Sequence, residues 1–78
     1  MSQNDVETQA DRWRQALRRA AREALDLAGI QGLCVEGQVE LAVSAMRELP
    51  ADDGLAPATA EAIREAQIQG LLQRGCLD

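Results

Sequence analysis

The stretch Val6–Ala28, VETQADRWRQALRRAAREALDLA, decides the fold of this chain. Its apolar residues fall at Val6, Ala10, Trp13, Leu17, Ala20, Ala24 and Leu27, in alternating steps of four and three, which is the spacing of a seam along one side of an α-helix. On a helical wheel the same side takes in Ala16, Ala21 and Ala28, whereas Arg12, Arg14, Arg18, Arg19 and Arg22 fall on the opposite arc. One face is apolar and the other cationic. Asn4 followed three residues later by Glu7 has the form of a capping box. Arg19 with Glu23, and Arg22 with Asp26, have the spacing of charge pairs on one helix face. These signals predict a helix over residues 5–28.

Working outward, Gly29 and Gly32 bracket the next residues and mark the expected end of that helix, because Gly readily takes the left-handed cap conformation. An unbroken helix as far as Leu33 would be about 43 Å long, longer than the roughly 30 Å breadth of a compact domain of this size. A break, or an elongated dimer, is therefore expected. A second seam, Val35, Val39, Ala42, Met46 and Leu49, again steps by four and three, and Pro50 closes it. It predicts a helix over residues 35–49.

Ala51–Gly54 reads as a polar turn. Pro57 suits the first position of a third helix, predicted over residues 57–74, with Glu61 early in it where the macrodipole favours an anion. Its apolar residues, Ala60, Ile63, Ile68, Leu71 and Leu72 with Ala66, spread widely enough to suggest burial on two sides. The expected architecture is all-α: a small bundle of three antiparallel helices in a single domain over residues 5–75, with residues 1–4 disordered and residues 76–78 frayed. One internal similarity stands out. EALDLAGIQGLCVEG (Glu23–Gly37) aligns with EAIREAQIQGLLQRG (Glu61–Gly75) and shares the run Ile-Gln-Gly-Leu. The simpler explanation is two Ala/Leu-rich helix ends with the same capping need, because solenoids need about three or more units.

Composition bounds the function. A chain of 78 residues buries only roughly 60 to 65% of its unfolded surface, so packing or a partner must supplement a thin margin. Trp13 is the only aromatic residue. With no His, and with Cys34 and Cys76 far apart, no metal site and no cofactor are expected. Nor does the sequence contain a nucleophile with a His base or a Gly-rich phosphate loop, so a non-catalytic role is expected. All eight basic residues are Arg, and with the abundant Ala this suggests a bacterial or phage protein from a GC-rich genome. A signal peptide and a membrane-spanning apolar run are both missing from the sequence, which makes a cytoplasmic location with reduced thiols the expectation.

Charge is distributed unevenly. Five arginines and one aspartate give Asp11–Arg22 a charge of +4, which leaves −9 on the rest of a chain whose total is −5. That acidic balance argues against direct nucleic-acid binding. A helix-turn-helix reading also fails: Gln38 stands where an apolar residue is wanted, and the would-be recognition helix has no Arg before Arg47.

The first expectation is a protein-interaction module that docks on a protein partner or forms a homodimer. Trp13 and Leu17 would anchor it, flanked by Arg12, Arg19 and Arg22, and Ile63, Ile68 and Leu71 would offer a second apolar face. An alternative is a phage-type inhibitor or antitoxin-like regulator whose acidic surface, Glu36, Glu40, Glu48, Asp52, Asp53, Glu61 and Glu65, blocks a basic site on a nucleic-acid-handling protein. A third is a thiol switch through Cys34 and Cys76.

Overall fold

The computed structural model describes residues 3–51 and 54–74, with the side chains of residues 3–6 and 74 left aside. The chain folds into three α-helices, α1 (Gln3–Ile30), α2 (Val35–Glu48) and α3 (Pro57–Arg74), and no strand occurs among the described residues. Side-chain contacts fix the topology. Trp13 meets Ala60 and Arg18 meets Gln67, so α3 runs parallel to α1. Arg47 meets Glu65, while Val35 and Val39 share a groove with Leu72, so α2 runs antiparallel to α3. The result is an up-down-up bundle.

The first helix departs from expectation at both ends. It begins at Gln3, so Asn4 lies inside it and the Asn4/Glu7 pair is not its start. It also runs through Gly29 without a break and ends at a well-formed cap. The Leu33 N–H donates to the Ala28 carbonyl at 3.0 Å, the Gly32 N–H donates to the Gly29 carbonyl at 3.1 Å, and Gly32 takes φ +79°. That pair of bonds satisfies two of the carbonyls a helix end leaves open, and it requires a left-handed residue, which only Gly adopts without strain. Gly32, not Gly29, is the stop.

An unbroken α1 fits because the molecule is elongated. Principal extents of 46 × 20 × 19 Å describe a rod whose radius of gyration is 13.3 Å, against about 11.5 Å for an average compact chain of this length. Because α1 spans almost the whole rod, its length demands neither a break nor a second copy.

The core follows the helix's own twist. Ala10, Trp13, Leu17, Ala21, Ala24 and Ala28 are buried on α1, whereas Leu27 is half exposed and Ala20 only partly covered. The predicted seam advanced by 3.5 residues per turn on average, the spacing of a supercoil. A straight helix advances by about 3.6, and over four turns the difference moves the contact line from Ala20 and Leu27 onto Ala21 and Ala28. Alanines at these positions let neighbouring helices approach toward the short end of the usual ~8–10 Å spacing.

Ala42 and Met46 complete the core from α2, and Ala60, Ile63, Ile68 and Leu71 from α3, with Leu55 at the base. On α3 the buried residues form one broad arc, and Ala66 and Leu72 lie outside it. The expected two-sided burial is therefore not found. Pro50 acts as predicted: it forces an extended residue before it, and Leu49 takes φ −67° and ψ 124° as the C-cap of α2.

The internal similarity does not survive as a structural repeat. Ile30-Gln31-Gly32-Leu33 crosses a helix end, whereas Ile68-Gln69-Gly70-Leu71 lies inside α3. Met1, Ser2 and residues 75–78, which include the expected frayed terminus, lie outside the described residues.

Candidate functional site

The two ends of the rod differ in how well they are closed. At the lower end Trp13 is 3% exposed, and its indole N–H donates to the Ala60 carbonyl at 2.9 Å. The Arg64 guanidinium lies over the indole ring, 5.3 Å from its centroid, a cation–π distance. Arg64 also donates to the Leu49 carbonyl at 2.5 Å and to the Arg47 carbonyl at 3.4 Å, and it pairs with Glu61 at 2.8 Å. It thereby fills carbonyls that the C-terminus of α2 leaves open. Its Nε is buried without a hydrogen-bond partner. One arginine ties all three helices together around one tryptophan.

Five of the residues expected to meet a partner are occupied inside the chain. Trp13, Leu17, Ile63, Ile68 and Leu71 are all buried in the core. Among the described residues the Trp13–Leu17 seam is packed against α2 and α3 of the same chain.

The upper end is different. Leu27, Ile30, Leu33, Val35 and Leu72 are the large apolar side chains left exposed among the described residues, with Ile30 at 84% and Val35 at 60%. Four of them lie within nine positions around the cap, at the end of α1, in the connecting turn and at the start of α2. Leu72 joins them from the end of α3, where Val35, Glu36, Val39, Glu40 and Leu72 line an open groove of about 340 Å³. The turn itself is held in place: the Gln38 amide donates to the Leu33 carbonyl at 2.8 Å, and the Gln38 N–H donates to the Cys34 carbonyl at 2.9 Å. This pole is an apolar surface on a fixed frame.

The exposed acids Glu23 and Asp26 are the charged residues of α1 nearest the pole, and the arginines lie further down the helix. On the outward face of α1, Gln15, Arg18, Arg19 and Arg22 border a shallow groove. Arg18 reaches Gln67 and Arg14 pairs with Asp11, but among the described residues no carboxylate lies within ion-pair distance of Arg12, Arg19 or Arg22. The predicted Arg19–Glu23 and Arg22–Asp26 pairs are therefore not formed. Exposed pairs of that kind are worth only about 0.3–0.5 kcal/mol, too little to hold two long side chains in one geometry.

On α2, Glu36 and Glu40 are exposed and have no counter-ion among the described residues. The rest of the predicted acidic surface is divided. Glu61 pairs with Arg64 and Glu65 with Arg47 at 2.9 Å, while Asp52 and Asp53 lie outside the described residues. Cys34 is a free, exposed thiol in the turn, and Cys76 lies outside the described residues.

Among the described residues, no three His, Cys, Asp or Glu side chains converge as metal ligands, and no helix is long and apolar enough to cross a membrane. Sequence reasoning missed Arg64, because nothing in its neighbourhood marks one arginine of α3 as structural. It also missed the pole, although Ile30 and Leu33 around a capping Gly were a legible signal: apolar residues at a helix end have nothing beneath them. Comparison of the chain with protein families, with curated proteins and with solved structures gave no match.

Proposed function

We propose that this chain is a non-catalytic protein–protein interaction module and that its docking surface is the apolar pole. The observation that carries the reading is the exposure of Leu27, Ile30, Leu33, Val35 and Leu72 at one end of the rod, while Trp13, nearer the other, is buried and hydrogen-bonded to the Ala60 carbonyl. Single exposed apolar side chains are ordinary, but several of them at one end of a small chain are what an interaction site presents. Each such side chain contributes about 1.5–3 kcal/mol when fully covered, so a partner that seats on several of them has a substantial apolar driving force.

The acidic-decoy reading has weaker support, since Glu61 and Glu65 are engaged by arginines of the same chain, and of the described acids of that surface Glu36, Glu40 and Glu48 are left without an ion pair among the described residues. The thiol-switch reading rests on Cys34 alone among the described residues.

The test is site-specific photo-crosslinking in the cell of origin, with the reactive residue placed either at Ile30 or at Thr59, which is exposed at the lower end. The proposal expects a discrete protein adduct from position 30 and none from position 59. Adducts from position 59 alone, or from neither position, would contradict it.

A further inference from the structure

We propose that the arginine groove on the outward face of α1 binds a phosphoryl group carried by a small molecule, a pyrophosphate or a phosphate ester. The site is separate from the apolar pole and does not depend on it. Gln15, Arg18, Arg19 and Arg22 line one open groove of about 340 Å³, at the lower end of the ~300–1,000 Å³ range of small-molecule sites. Their spacings of three, four and seven residues put all four on one arc of the helix, and all four are exposed. The Arg18 Nε donates to the Gln67 Oε1 at 3.2 Å, which holds that guanidinium at the junction with α3. Among the described residues none of the three arginines is paired with a carboxylate.

The donor set and its limits select the ligand. A carboxylate has two oxygens and is filled by one guanidinium fork, whereas a phosphoryl group offers three oxygens and up to two negative charges. Three guanidiniums and a carboxamide around one groove match the second. Acids bound the groove along the helix: Asp11 stands four residues before Gln15 and Asp26 four residues after Arg22, both exposed on the same arc, with Glu23 beside Arg19. Asp11 is paired with Arg14, and neither Glu23 nor Asp26 forms an ion pair with the groove arginines. From Gln15 to Arg22 the cationic stretch is only about 11 Å long. A nucleic-acid strand would run past it onto these carboxylates and would also approach a chain of net charge −5. A compact anion meets the groove alone.

The experiment is titration calorimetry of the full chain with sodium pyrophosphate at low ionic strength, with far-UV circular dichroism on every variant. The wild-type chain is expected to bind saturably, one pyrophosphate per chain, and more weakly as salt is added. R19Q/R22Q removes two of the three guanidiniums and is expected to weaken binding roughly 10-fold or more. Q15E, which sets a carboxylate in the groove at helix-pair spacing from Arg18 and Arg19, is expected to do the same while keeping the helix, so the test does not hinge on the double variant staying folded. R12Q removes an unpaired cation of α1 that does not line the groove, and is expected to leave binding nearly unchanged.

Three results would overturn the proposal. One is the absence of saturable binding to the wild-type chain. Another is an R12Q variant weakened as much as R19Q/R22Q, which would mean that overall charge and not the groove holds the anion. The third is a single-stranded oligonucleotide that displaces pyrophosphate at a lower concentration of phosphate groups, which would make the ligand a long polyanion.

Discussion

The same four residues, Ile-Gln-Gly-Leu, occur twice in this chain and do opposite things. At positions 30–33 they form the pole: Ile30 is 84% exposed, Leu33 is exposed, and Gly32 ends α1 in the left-handed conformation. At positions 68–71 they form the middle of the core: Ile68 is 0% exposed, Leu71 is buried, and Gly70 is an ordinary helical residue. Ile30 lies on the arc of α1 facing away from the core, two residues past buried Ala28, whereas Ile68 and Leu71 lie on the buried arc of α3. In α3 the run lies where α1 and α2 flank it, so its two aliphatic side chains point into a shared interior. At the end of α1 the neighbouring helix has only begun, and the same side chains extend past the core. Composition alone does not distinguish an anchor from a docking surface; what lies beside the residue does.

Paired substitutions in the two runs can break or sharpen this contrast. The largest expected effect is Ile68→Ala, which leaves a cavity in a closed core and should lower unfolding stability by about 2–5 kcal/mol in a denaturant titration. Next is Gly32→Ala, where φ +79° makes any side chain costly; a loss of about 1–2 kcal/mol is expected from the same measurement. The matching change at the other run, Gly70→Ala, should go the opposite way. A Cβ there meets nothing within 4 Å, and removing a glycine from a helix interior is expected to raise stability by about 0.5–1 kcal/mol. If Gly32→Ala and Gly70→Ala shift the unfolding midpoint in the same direction, the two runs are not conformationally distinct. Smallest in stability is Ile30→Ser, which should stay within about 0.5 kcal/mol of the parent in the same measurement.

Much of the fold was legible in the sequence. Steps of four and three around Trp13, Leu17, Ala42 and Met46, with Pro50 as a stop and Pro57 as a start, were enough to give three helices in the right order. What could not be read was set by relations between helices. The drift of the contact line from Leu27 to Ala28 is a fraction of a residue per turn, invisible in a pattern that fits either repeat over a few turns. The burial of the seam was illegible for a related reason: an apolar stripe shows that something covers it, and only the other two helices show that Trp13 and Leu17 are covered within the chain. Arg64 was illegible because its role depends on carbonyls of α2 and a ring of α1, both distant in sequence. The charged faces were legible as residues, and Arg12, Arg19, Arg22, Glu36 and Glu40 are all exposed as expected.

The central claim is a division of labour along the rod, with the Trp13 seam occupied by the chain's own core and the opposite end left open for a partner. Trp13 is the sole tryptophan, so its fluorescence reports on that seam without interference. The most direct measurement is quenching of this emission by acrylamide across a dilution series that spans any change in mass. Uniformly low accessibility, with a blue-shifted emission that does not change on dilution, is the predicted result. A tryptophan that becomes quenchable and red-shifted on dilution would show that the seam is shared between chains and would contradict the account.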